Sequence, residues 1–246
     1  NEETNEETNE EGNEGRHSGV ARPFLYDGAW DALRALRFVT RGDDYGDLTD
    51  PSRVAISGIS LGGMYAWLAG AADPSVVTGA VAPIIGVQQF AWGLLNRSWR
   101  ARVDSLPPAL FATAAQDLKG NMRAVDAELV GAVYRRICPG LIDELDGPSS
   151  LPLIAPRPLL VVNGELDPRC PYPGLMNAVT ETRAAYASAN KDNLFRTLVQ
   201  RDTPHMCTSE MSDVVNRWLD ETLRPQRPAT PVPTKGNLDP ATWIEL

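Results

Sequence analysis

Residues 53–64 read RVAISGISLGGM, and this stretch decides how the rest of the chain is read. Arg53-Val54-Ala55-Ile56-Ser57 is a short apolar run of the kind that fills a buried strand. It runs directly into Gly58-Ile59-Ser60-Leu61-Gly62, a G-x-S-x-G string. The chain then continues as LGGMYAWLAGAA, a helical stretch that stops before Asp73-Pro74. A serine at such a strand-to-helix turn has a defined chemistry. Gly58 and Gly62 leave room for a sharp turn that holds Ser60 in a strained backbone conformation with its hydroxyl exposed. The backbone N–H of Leu61, at the helix start, can then point at charge developing on a carbonyl oxygen.

Working outward, strands and helices alternate. A helix with Asp27 as its cap and Trp30, Leu33 and Leu36 on its apolar face runs to about Thr40. Buried strands are expected at 76–85 (VVTGAVAPII), at 158–163 (PLLVVN) and from Leu194 to Val199. A final helix near Met211–Leu223 repeats Met211, Val214, Val215, Trp218 and Leu219 at i, i+3, i+4, i+7 and i+8. Near-continuous apolar strands separated by helices predict an α/β fold, a mostly parallel sheet with helices on both faces.

The 246 residues carry 23 basic and 32 acidic side chains, a net charge of −9, and that charge is unevenly placed. Residues 1–19, NEETNEETNEEGNEGRHSG, account for −6 and hold no large apolar side chain. Such a stretch cannot bury enough surface to offset its ordering entropy, so residues 1–21 are expected to be a disordered acidic tail. The prolines Pro225, Pro228, Pro231, Pro233 and Pro240 mark residues 225–246 as a Pro-rich C-terminal tail, with Trp243 and Ile244 available to dock it. The folded domain is then residues 22–224. An acidic chain without a basic stripe argues against nucleic acid as a partner. No apolar run reaches membrane-spanning length, so no membrane partner is expected either. The chain starts on Asn1 and shows no signal-peptide pattern, which points to a cytoplasmic location.

A serine hydroxyl needs a base, and only two histidines are present. His17 lies in the acidic tail, which leaves His205, just after the fourth strand in RDTPH. The acid that orients it should follow another strand at the same sheet edge. Asn163-Gly164-Glu165-Leu166-Asp167-Pro168 supplies Asp167, with Glu165 in reserve. The chain order Ser60, Asp167, His205 differs from those of the chymotrypsin and subtilisin triads. No G-x-G-x-x-G follows a strand, which argues against a dinucleotide oxidoreductase.

YDGAWD at 26–31, RVAISGISLGGM at 53–64, APRPLLVVNGELDPRCP at 155–171 and the Thr203-Pro204-His205 step resemble the α/β-hydrolase superfamily. The similarity is greatest to the branch holding dienelactone hydrolases, acetylxylan-type esterases and prolyl-oligopeptidase catalytic domains. The resemblance implies Ser60 as nucleophile, Asp167 as acid and His205 as base, with acyl transfer to water and neither cofactor nor metal. The substrate it implies is a small-molecule carboxylic ester. A serine peptidase of the prolyl-oligopeptidase type is an alternative, and a catalytically weak remnant acting as a binding protein is another. A full member carries further strands and a glycine-rich loop ahead of the nucleophile. The chain therefore reads as N-terminally shortened, and the strand at 53–57 as an edge open to self-association.

Residues 86–157 are rich in helix formers and correspond to a helical, cap-like insertion. Trp92 and Trp99 within it are candidate substrate-binding side chains. Arg100 and Arg102 are read as solvated, with an anionic substrate as the less favoured role. Cys170 and Cys207 flank Asp167 and His205, and a bond between them is not expected in a chain without a secretory feature.

Overall fold

Strand register shows how the sequence becomes a layered fold. The computed structural model describes residues 24–41, 45–224 and 238–246. The expected disordered tail at 1–21, the tail histidine His17 and most of the proline-rich segment lie outside the described residues. Five strands form one sheet in the order β1-β2-β3-β4-β5: Ala55–Ile59, Ala80–Ile84, Leu159–Gly164, Phe195–Gln200 and Trp243–Glu245. The first four are parallel, and β5 runs antiparallel to β4 with Val199 opposite Ile244.

Pleating divides the side chains of each strand between two cores. Val81, Leu159, Val161, Phe195 and Val199 face one layer, which holds Trp67, Leu175 and Tyr186 from the helices. Ala82, Ile84, Leu160, Val162 and Leu198 face the other, against Met211, Val214 and Val215. Every residue of β2 and β3 is buried, which explains why both read as unbroken apolar runs. By contrast, β1 is only half-buried and pairs, among the described residues, with β2 alone.

Nine α-helices cover the sheet and fill the long connection among the described residues. Helix α1 (Phe24–Arg41) buries Leu25, Ala29 and Leu33. Trp30, expected on that face, is instead 45% exposed, and the Arg37 guanidinium lies over its ring. Leu25, Ala29 and Leu33 recur every four residues, and that stripe leaves Trp30 on the helix flank. Helix α2 (Leu61–Ala72) follows β1 directly and is the most deeply buried helix, with Trp67 sealed from solvent and bonded to Ser150 Oγ at 2.8 Å. Between β2 and β3 the chain forms short helices α3 (Phe90–Leu95), α4 (Arg100–Val103), α5 (Pro108–Lys119), α6 (Ala127–Ile137) and α7 (Gly147–Ser150). Helices α8 (Tyr172–Ser188) and α9 (Ser209–Leu223) flank β4. Thr208 caps α9 by accepting from Met211 N–H.

Strand β5 is the one strand of the sheet that the sequence pattern does not show. Its three residues are too few to display a period. It forms because β4 offers an open edge and Trp243 buries its indole in the second core.

Candidate active site

Parallel strands place their C-terminal ends on one edge, and three of those ends carry the residues singled out above. Ser60 leaves β1 with φ 56° and ψ −113°, a left-handed conformation that a serine adopts only when the surroundings enforce it. Gly58 is one enforcing element, because a Cβ there would come within 2.3 Å of the Gly62 carbonyl oxygen. Gly62 itself meets nothing within 4 Å at its own Cβ position. The second close approach belongs instead to Gly63 and Gly86, where a Cβ on Gly86 would lie 2.6 Å from the Gly63 carbonyl carbon. Ser60 N–H donates to Ile84 O at 2.9 Å, tying the turn to β2. Leu61 N–H, the first of α2, has no acceptor among the described residues and remains available.

Asp167 follows β3 and His205 follows β4, and the two loops interlock. Leu166 N–H donates to Thr203 O at 3.0 Å, and Glu165 N–H to Gln200 O at 2.9 Å. The result is a continuous hydrogen-bonded line. Ser60 Oγ lies 2.7 Å from His205 Nε2, and His205 Nδ1 lies 2.8 Å from Asp167 Oδ2. Asp167 is 2% exposed, and its other oxygen accepts from the N–H groups of Arg169 and Cys170 at 2.8 and 3.0 Å. Those bonds fix the carboxylate so that one oxygen faces the imidazole. Glu165, the reserve acid, turns the other way and accepts from Asp202 N–H at 3.1 Å.

Other expected residues fall elsewhere. Trp92 and Trp99 do not line the cleft beside Ser60. Trp92 packs against Gly174 of α8, and Trp99 lies partly buried against the first core with Arg100 over its ring. Trp92 belongs to α3 and Trp99 immediately precedes α4, both outside the cleft lining. The cleft, of about 180 Å³, is walled by Phe24, Leu25, Met64, Ile85, Phe90, Leu106 and Tyr134 around Ser60, Leu61 and His205. Arg102, read from the sequence as solvated, is 5% exposed and reaches this cleft together with Arg169 and Gln88. Nothing in Trp99-Arg100-Ala101-Arg102 distinguishes the two arginines. Only the packing of α4 against Phe90 and Tyr134 turns one inward.

All three cysteines are unpaired. Cys170 is buried, and its thiol donates to Ile85 O at 3.3 Å. Burial pushes that thiol well above its ordinary range, with the neighbouring Asp167 charge acting in the same direction. Asp167, Cys170 and His205 bring one ligand-type atom each within 4.8 Å of one another. They do not suit a metal ion. The carboxylate and imidazole are engaged with each other, and the thiol is held protonated against a carbonyl where a ligand would be a thiolate.

No protein-family model and no curated protein matches this sequence. Solved structures do. The chain is similar to a glucuronoyl esterase from Solibacter usitatus with TM-score 0.52 and 18% identity, over 80% of this chain and 48% of that one. It is similar to a carbohydrate esterase family 15 glucuronoyl esterase from Caldicellulosiruptor kristjansonii with TM-score 0.51 and 18% identity, over 90% of this chain and 56% of that one. The fold is that of the α/β-hydrolases. A glucuronoyl esterase catalytic domain from Hypocrea jecorina also matches, with TM-score 0.51 and 15% identity over 82% of this chain and 52% of that one. The chain spans about half the length of these α/β-hydrolase structures. Among the described residues, no helix is long and apolar enough to cross a membrane.

Proposed function

We propose that the chain is a serine hydrolase that cleaves small-molecule carboxylic esters through an acyl-enzyme intermediate. The observation that carries this reading is the unbroken line from Ser60 Oγ through His205 to the buried Asp167 carboxylate. In the first step His205 Nε2 takes the Ser60 proton while Oγ attacks the ester carbonyl. The free Leu61 N–H, at the positive end of α2, stabilises the oxyanion. Asp167 holds the Nδ1–H tautomer and stabilises the imidazolium, which then protonates the departing alcohol. Water repeats the sequence in reverse and releases the acid. Two of the similar structures are glucuronoyl esterases, which agrees with this choice of substrate class, and a largely apolar cleft suits an acyl chain.

A fluorophosphonate probe tests the reading. Labelling of the wild-type protein that vanishes in Ser60→Ala is the expected result. Equal labelling of both, or none of a well-folded wild type, overturns it. Rates on a short 4-nitrophenyl ester and on a proline-containing peptide separate esterase from peptidase. Three unpaired thiols favour a reducing, cytoplasmic compartment. The half-buried β1 edge supports self-association through that strand, and sedimentation at increasing concentration checks it.

A further inference from the structure

We infer that Arg102 is the anion-binding group of the cleft, and that the ester cleaved at Ser60 carries a carboxylate; this rests on the reading of Ser60 as nucleophile. Arg102 is 5% exposed, yet none of the described carboxylates lies within ion-pairing distance of it. The two acids whose fields reach it are fully occupied. Asp167 bonds His205 and two backbone N–H groups, and Asp146 accepts from Phe90, Ala91 and Gly147 N–H.

The guanidinium is held rather than satisfied. One nitrogen donates to Arg169 O, and the Phe90 ring lies under the group with Cζ 5.2 Å from its centroid. A guanidinium carries five N–H donors, so most remain without an acceptor among the described residues. None of its nitrogens is among the sealed, unpartnered polar atoms of the described residues, which are Gln88 Oε1, Asn163 Oδ1 and Thr197 Oγ1. Its free donors therefore open into the cleft that Arg102 lines with Ser60 and His205. Burial also lowers the affinity of the guanidinium for its proton, and the neighbouring Asp167 charge offsets only part of that effect. A buried cation without an ion-pair partner is destabilising, and an arriving carboxylate, which matches the guanidinium fork, reduces that penalty. The apolar walls of Phe90 and Leu106 lower the local dielectric and strengthen the pairing.

The test compares matched esters. On the acyl side, 4-nitrophenyl hydrogen adipate is set against 4-nitrophenyl hexanoate. On the leaving-group side, 4-acetoxybenzoate is set against phenyl acetate. In at least one arm the wild type is expected to show a higher kcat/KM for the anionic ester. Arg102→Gln should then reduce that anionic-to-neutral ratio by about 10-fold or more, with Arg102→Lys intermediate. No anionic preference in either arm, or a ratio that Arg102→Gln leaves unchanged, overturns the inference while the esterase reading stands. Calorimetric binding of adipate to Ser60→Ala separates the two further. Binding that Arg102→Gln abolishes, with no ester turned over, keeps the anion site and removes the esterase reading. Should Arg102→Gln not fold, the wild-type preference, Arg102→Lys and adipate binding to Ser60→Ala decide the matter.

Discussion

Gly164, the last residue of β3, lies against the backbone of Thr203, so closely that a Cβ on Gly164 would come within 2.3 Å of the Thr203 carbonyl oxygen. The acid loop and the base loop are pressed together at this point, three residues before Asp167 and two before His205. Gly164→Ala must push them apart. Because misplacing reacting groups by about 1 Å costs on the order of 10²-fold in rate, a fall of that size in kcat on a 4-nitrophenyl ester is expected. Circular dichroism that matches the wild type would show that the loss lies in the site. Unchanged kcat would mean that the loops tolerate the separation.

The division between the two candidate acids gives a second outcome. Asp167→Asn should reduce kcat by about 10⁴-fold, since the amide favours the wrong imidazole tautomer. Glu165→Gln should change kcat by less than about 10-fold, because Glu165 bonds only the Asp202 N–H. Steady-state kinetics on one neutral ester checks both. Comparable losses would mean that Glu165 can replace Asp167.

The nucleophile turn separates its glycines. Gly63→Ala places a methyl 2.8 Å from Ile84 O and should cost about 1–3 kcal/mol by overpacking. Gly62→Ala meets no atom within 4 Å and exchanges glycine for a better helix former, so it should be neutral or stabilising by up to about 1 kcal/mol. Urea midpoints of the two variants provide the comparison. The reverse order would contradict the packing described here.

The Cys138 thiol is sealed from solvent, and burial pushes it up to about 11, with the neighbouring Tyr26 hydroxyl opposing the shift. A folded-state value above the unfolded one gives stability that is fully present below about pH 9 and is lost as pH rises through 11. The advantage of the wild type over Cys138→Ala should therefore shrink by roughly 2–3 kcal/mol between pH 8 and the strongly alkaline range. Denaturant unfolding across that range tests it. At pH 8, native protein should react with Ellman's reagent at Cys207 alone, and unfolded protein at all three cysteines.

Trp243 anchors β5 through an indole that is 7% exposed in the core holding Leu160, Leu198 and Met211. Trp243→Ala should cost about 3–5 kcal/mol and release β5 from β4. Thermal unfolding, with hydrogen exchange at Val199 and Ile244, reports both effects. A small stability change would show that the second core closes without the tail.

Much of the fold was legible because each signal was local. Buried parallel strands carry unbroken apolar runs, so β2 and β3 stand out, and α9 shows its 3.6-residue stripe. The nucleophile turn was legible because Gly58 and Ser60 are close in sequence. With one histidine outside the acidic tail, the candidate base followed by elimination. Strand β5 was not legible, since three residues carry no period and its reason to form lies on another strand.

The sequence alone therefore singled out Ser60, His205 and the strand end that carries the candidate acids, because residue type and strand ends are local properties. Only the tertiary structure decided which carboxylate meets the imidazole, Asp167 over Glu165, since both follow one strand and differ only in how two loops interlock. It also decided that Trp92 and Trp99 lie outside the cleft lining while Arg102 enters it. Short helices have no strong stripe of their own, so which side chain turns inward depends on the surfaces they meet rather than on their sequence.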